Sequence, residues 1–153
     1  MREIDTKAYL SALREMVREG HDVSLIISGS SMAPFLIHHR DTIIFGPIER
    51  PLKRGDMVFY ERPTGQFVMH RIRWVKPEGL YLIGDAQTET EGPLDPDRVF
   101  AIVKQACRKG EWINESCRTW QFFASTWLRV IPLRRIIMKM YSFISKFFSQ
   151  DRK

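Results

Sequence analysis

At 153 residues the chain is long enough for one domain with a real core and no disulfide staples. Hydrophobic residues make up 44% and charged residues 27%, with eight prolines and nine glycines, which excludes wholesale disorder and fibrous repeats. The net charge of +6 sits at one end: residues 118–153 carry eight of the 24 basic residues and one acid, Asp151, while residues 1–117 hold 16 basic and 17 acidic residues.

The body is thus electrically neutral and lacks the basic face a nucleic-acid binder needs, so no nucleic-acid partner is expected. Cys107 and Cys117 are too few for a disulfide scaffold. No CxxC or Cys/His spacing suggests zinc, and no metal or other cofactor is implied. The start, Met1-Arg2-Glu3-Ile4-Asp5, is charged and no apolar signal region follows. The longest uncharged run in the tail, Thr119 to Leu128, falls short of the roughly 18 residues that cross a bilayer. The expected location is the cytoplasmic side.

Thr6 to Glu19 reads as a helix capped by Asp5 or Thr6, with Leu10, Leu13, Met16 and Val17 on one face and Gly20 as the stop. From Val23 the period changes. Val23–Ile27, Thr42–Phe45, Met57–Tyr60, Phe67–Val75, Leu80–Ile83 and Val99–Ala106 are short, rich in β-branched or aromatic residues and bounded by Gly, Pro or Asp. These six segments predict a mainly β structure, a small bent sheet or partly closed barrel. Pro63-Thr64-Gly65-Gln66 and Pro77-Glu78-Gly79 are its hairpin turns.

The tail returns to helical spacing. Leu133, Ile136, Ile137, Met140, Ile144, Phe147 and Phe148 form an apolar stripe, opposed by Arg135, Lys139, Ser142, Lys146 and Ser149. Pro132 separates this stripe from an aromatic segment containing Trp120, Phe122, Phe123 and Trp127. The chain divides into an N-terminal helix (1–22), a β domain (23–110) and a basic amphipathic tail (111–153). A cationic amphipathic helix suits an anionic membrane surface, at the inner face of the membrane. The alternative packs Trp120, Phe123 and Trp127 against the β domain, or sets the tail against a partner protein.

Three segments carry candidate chemistry. Ser28-Gly29-Ser30-Ser31-Met32-Ala33-Pro34 directly follows a predicted strand. A serine on such a turn has an exposed hydroxyl and a backbone N–H nearby, as a nucleophile and its oxyanion hole require; an ordinary Ser/Gly loop has the same composition. Of four histidines, His21 and the pair His38-His39 fall in loops. His70 lies on a strand that can aim a neutral imidazole for general-base work. Gly84-Asp85-Ala86-Gln87 ends another strand, and Glu89, Glu91, Asp95 and Asp97 follow. A carboxylate there could orient the histidine.

In order and spacing these segments resemble the signal peptidase I and LexA-type serine peptidases. Residues 28–34 are similar to the nucleophile box Ser-Gly-x-Ser-Met-x-Pro. Lys53-Arg54-Gly55-Asp56-Met57-Val58-Phe59 resembles the second box. Met69-His70-Arg71-Ile72 resembles the box supplying the general base, and Leu82-Ile83-Gly84-Asp85 the final Gly-Asp box. The likeness covers about Val23 to Val103.

The bacterial members and LexA-type proteins place a lysine where this chain has His70. The endoplasmic-reticulum branch and its relatives place a histidine, so the chain resembles the Ser/His branch in a compact form without the membrane anchor or DNA-binding domain. That branch has an aspartate a few residues past the Gly-Asp box. Here the sixth residue after Asp85 is Glu91 and the tenth is Asp95, so Asp85, Glu91 and Asp95 all stand as acid partners.

The resemblance implies a serine endopeptidase using a Ser/His dyad or Ser/His/acid triad on an extended leader or signal-type peptide. Ser31 would be the nucleophile and His70 the base. Ser28, Gly29, Ser30 and Met32 would line the oxyanion hole and substrate groove. The alternative is a catalytically inactive peptide-binding or partner-binding module that keeps the groove. With an ordinary histidine, activity would rise near pH 6.5 unless the site shifts it.

Overall fold

The computed structural model describes residues 3–150, with α1 (Glu3–Arg18), α2 (Arg118–Ala124), α3 (Thr126–Arg129) and α4 (Arg134–Gln150) framing eight strands. The strands are β1 (Val23–Ile26), β2 (Thr42–Gly46), β3 (Met57–Glu61), β4 (Phe67–Lys76), β5 (Gly79–Ile83), β6 (Glu91–Leu94), β7 (Val99–Arg108) and β8 (Glu111–Asn114). Arg152 and Lys153 of the basic tail lie outside the described residues.

All pairings are antiparallel and the order is β1-β2-β7-β3-β4-β5-β6, an open sheet. β8 pairs with β7 beyond the residues that β3 uses. Register shifts at Ile44/Phe45, Phe59/Tyr60, Ile72/Trp74 and Leu80/Leu82 mark irregularities of the kind that bend a sheet. β3 is buried on both faces, as its unbroken apolar run Met57–Tyr60 requires. Met57 and Phe59 enter one core with Leu13, Val17, Phe35, Phe45 and Trp127; Val58 and Tyr60 enter a second with Ile72, Leu82 and Val99.

Each of the six strands read from the sequence is present to within two residues at either end. Two more were not foreseen. β6, Glu-Gly-Pro-Leu, has neither β-branched residues nor alternation. β8 is joined to β7 through Lys109 and Gly110, both at positive φ, the hallmark of a two-residue type I′ turn. The first helix begins at Glu3, so Asp5 and Thr6 fall inside its first turn rather than ahead of it. Leu13 and Val17 are buried as expected, but Met16 is 43% exposed.

The tail is not one unit. Residues 111–114 belong to the sheet, and the next twenty pack on it: Trp120, Phe123, Trp127, Leu128 and Ile131 are buried. Trp120 and Phe123 meet Phe35 with ring centroids at 5.7 and 4.9 Å. Arg134, 1% exposed, donates to the carbonyls of Trp127, Gly84 and Gln87. From residue 135 to residue 147 the helix is exposed, except for Met138, which packs on the core.

Removing residues 119–153 therefore strips five core side chains, and such a chain is expected to unfold. Ending the chain after Met138 is expected to leave the β domain folded, and Trp127→Ala alone to cost about 3–5 kcal/mol. Urea unfolding followed by circular dichroism reads all three.

Candidate active site

The turn bearing Ser31 is nailed down from inside. Met32, Phe35 and Leu36 are almost fully buried, while Ser28, Gly29 and Ser30 face solvent and Ser31 lies between the two environments. Gly29 has φ +92°, a conformation open to glycine, and its N–H donates to His38 Nδ1 at 2.7 Å. Asp41, fully buried, accepts from the Ile37 N–H and from the Arg40 guanidinium. Burial pushes its carboxyl up, but those hydrogen bonds outweigh it and hold the group below the usual carboxylate range.

The turn docks on the Gly-Asp segment. The Ala86 N–H donates to the Ser31 carbonyl at 2.9 Å. A Cβ on Gly84 would stand 2.5 Å from that carbonyl, so only glycine allows the approach. Ile83, the residue before Gly84, pairs with Arg71 on β4, next to His70. The Ser31 turn thus meets the end of β5 beside the strand that carries the imidazole.

His70 is 3% exposed, opposite Val58 in the β3–β4 register. Its Nδ1 lies 3.2 Å from the Tyr60 hydroxyl, which donates to Glu91 Oε2 at 2.7 Å. Arg62 grips both oxygens of Glu91 at 2.7 and 2.9 Å. The chain of bonds assigns the tautomer. A carboxylate only accepts, so it takes Tyr60's single proton; the phenol oxygen must then accept from Nδ1–H. Nε2 is left with its lone pair.

Burial lowers the His70 pKa to about 4, against an upward pull from Glu91 and a downward one from Arg62. The ring is neutral at physiological pH. Burial also raises Glu91, but the Arg62 and Tyr60 hydrogen bonds prevail and keep it ionised. Burial and the Glu91 contact push the Tyr60 hydroxyl far above its ordinary value.

The candidate acids separate by place. Both oxygens of Asp85, which is fully buried, are taken by Arg71, Nε at 2.8 Å and Nη2 at 2.7 Å. Arg71 also donates to the Gly55 carbonyl. Because side chains alternate along a strand, Arg71 and His70 point to opposite faces. Asp95 is exposed and caps a short turn through the Asp97 N–H. Among the described residues Glu91 is the candidate acid joined to His70, through Tyr60 rather than directly. The sequence pattern points to the acids but not to the phenol that intervenes between Glu91 and the imidazole. The signal was there in outline: Tyr60 and His70 both fall at strand positions that face the same side.

Glu91 and Arg62 open onto a cavity of about 490 Å³ that Thr88, Glu89 and Arg135 also line. A larger one, about 630 Å³, is lined by Arg50, Asp56, Lys104 and Trp120 and holds none of the candidate residues. Among the described residues no cluster of three or more His, Cys, Asp and Glu is placed to hold a metal ion.

A family model described as Peptidase S24-like matches residues 1–107. No curated protein and no solved structure gives a match.

Two stability measurements follow. The unfolded chain binds a proton at His70 near pH 6.5, the folded one only near 4. Stability is therefore full above about pH 6.5 and falls as pH drops toward 4, by on the order of 3 kcal/mol. Urea midpoints between pH 7.5 and 4.5 should show this slope, and His70→Asn should lack it. Asp85→Asn should cost about 3–5 kcal/mol at neutral pH, since it leaves Arg71 charged and unpaired in the core.

Proposed function

Because the chain belongs to the Peptidase S24-like family, we propose that it is a serine endopeptidase in which Ser31 attacks the scissile carbonyl and His70 takes its proton. Family membership supports peptidase chemistry. The observation that carries the finer reading is the His70–Tyr60–Glu91 chain, which leaves a neutral imidazole with its Nε2 lone pair available. That is the form a general base needs.

In the forward step the serine proton passes to Nε2, and the imidazolium so formed donates it to the leaving amine. Glu91 acts at one remove: its charge, relayed by the Tyr60 hydroxyl, steadies the imidazolium and keeps the Nδ1–H tautomer. The N–H of Ser31, with the exposed Ser28 and its neighbours, is the candidate oxyanion donor set. β1 lies at the sheet edge and runs into Ser28, so an extended peptide paired along it would reach Ser31. A leader or signal-type segment is the substrate this layout suits.

Ser31→Ala should abolish cleavage of a cognate peptide, by up to about 10⁶ in rate, with the urea midpoint unchanged. If the wild type binds the peptide and Ser31→Ala changes nothing, the chain is a groove-binding module. The pH profile moves with the buried ring: kcat/KM should rise through about 4 and be flat from pH 6 to 8, not rise near 6.5 as an exposed histidine would. Tyr60→Phe should lower kcat by up to about 10² with little change in KM, since the phenol orients the base and does not touch substrate.

A further inference from the structure

We propose that α4 lies on an anionic membrane surface, with Ile136, Ile137, Met140, Phe143, Ile144 and Phe147 dipped into the acyl boundary. These six side chains are 39–72% exposed. At about 100° per residue they span an arc of roughly 120°. Arg135, Lys139 and Lys146 share a narrower stripe beside it. The third side of the helix is fixed to the body by Arg134, bonded to the Gly84 and Gln87 carbonyls, and by Met138 on the core. The apolar arc cannot turn inward without breaking those contacts.

Charge selects the occupant. No acidic residue occurs from Arg118 to Gln150. Two copies meeting through α4 would bring the like charges of Arg135 and Lys139 together. Anionic headgroups offset those charges, and an apolar arc flanked by long cations is how an interfacial helix binds. Among the described residues no helix is long and apolar enough to cross a membrane, so α4 lies along the surface rather than through it. Arg135 also lines the cavity at Glu91, so the helix would hold that cavity beside the bilayer. The proposal does not rest on the peptidase reading.

The test is flotation of the full chain with vesicles of phosphatidylcholine, with and without phosphatidylglycerol. The full chain should float with the anionic vesicles and not with the neutral ones. Arg135→Glu combined with Lys139→Glu should weaken binding at least about tenfold, as should raised salt. Phe143→Asp should do the same. Circular dichroism and the thermal midpoint should stay unchanged in both variants, and if Phe143→Asp fails to fold, the charge reversal decides alone. No flotation at low salt, equal flotation with neutral vesicles, or indifference to charge reversal would overturn the proposal. So would a dimer in sedimentation equilibrium that Phe143→Asp dissociates while vesicles capture nothing. A catalytically dead Ser31→Ala chain should float like the wild type, so a failed peptidase reading leaves this result standing.

Discussion

Arg71 and Asp85 are wholly shut off from water, and their two parallel hydrogen bonds are joined by a third from Arg71 to the Gly55 carbonyl. A buried ion pair gains little net stability over apolar side chains of the same size, because desolvation cancels most of the attraction. Its value here is geometric. The guanidinium fixes β4 to the segment that enters β3 and to the end of β5, and lies 5.2 Å from the centre of the Phe35 ring. Phe35 anchors the turn of Ser31, and Asp85 sits between Gly84 and Ala86, which hold that turn's carbonyl. The position of the candidate nucleophile depends on a buried ion pair whose carboxylate is wholly engaged by Arg71.

One residue earlier on the same strand the electrostatic demand is reversed. Arg71 brings a charge into the core, and its three nitrogens each find an acceptor. His70 must stay neutral, so it is buried with one hydroxyl on Nδ1. Strand alternation lets neighbours meet opposite requirements by sending them to opposite cores. Glu91 is kept off the ring by the Tyr60 hydroxyl, which bridges the two. A carboxylate in direct contact would raise the imidazole pKa strongly; placed behind Tyr60 it raises it too little to offset burial.

How much of this was readable from the sequence follows from what local pattern encodes. The strands with β-branched runs and the motif boxes were found because their signals span neighbouring residues. β6 was not, since Glu-Gly-Pro-Leu pairs with β5 through tertiary position and not propensity. Asp85 stands as a candidate acid through its place at a strand end and its Gly-Asp box, and only the fold reveals that its side-chain bonds go to Arg71. Glu91 was named as one of three acids, but its connection depends on Tyr60 and Arg62 across a hairpin, which no spacing records. A basic stretch defined by charge spans two environments: residues 118–150 hold no acid, yet burial changes sharply near residue 134.

Arg134 marks that change and couples the two halves electrically. Burial lowers its pKa to about 10, with Asp85 as the chief opposing attraction and Arg71 as a repulsion. Three of its acceptors are carbonyls, which solvate a guanidinium without neutralising it. Asp85 thus attracts two buried cations. The Trp127 indole donates to the Asp85 carbonyl at 2.7 Å, so the helical segment touches the backbone of the same residue whose carboxylate it depends on. Motion of α4 would be felt first at Gly84 and Gln87, on either side of Ala86, whose N–H holds the Ser31 carbonyl. A helix lying on a surface would thereby be joined to the candidate site through Arg134, beside the contacts of Met138 with the core and of Arg135 with the cavity at Glu91.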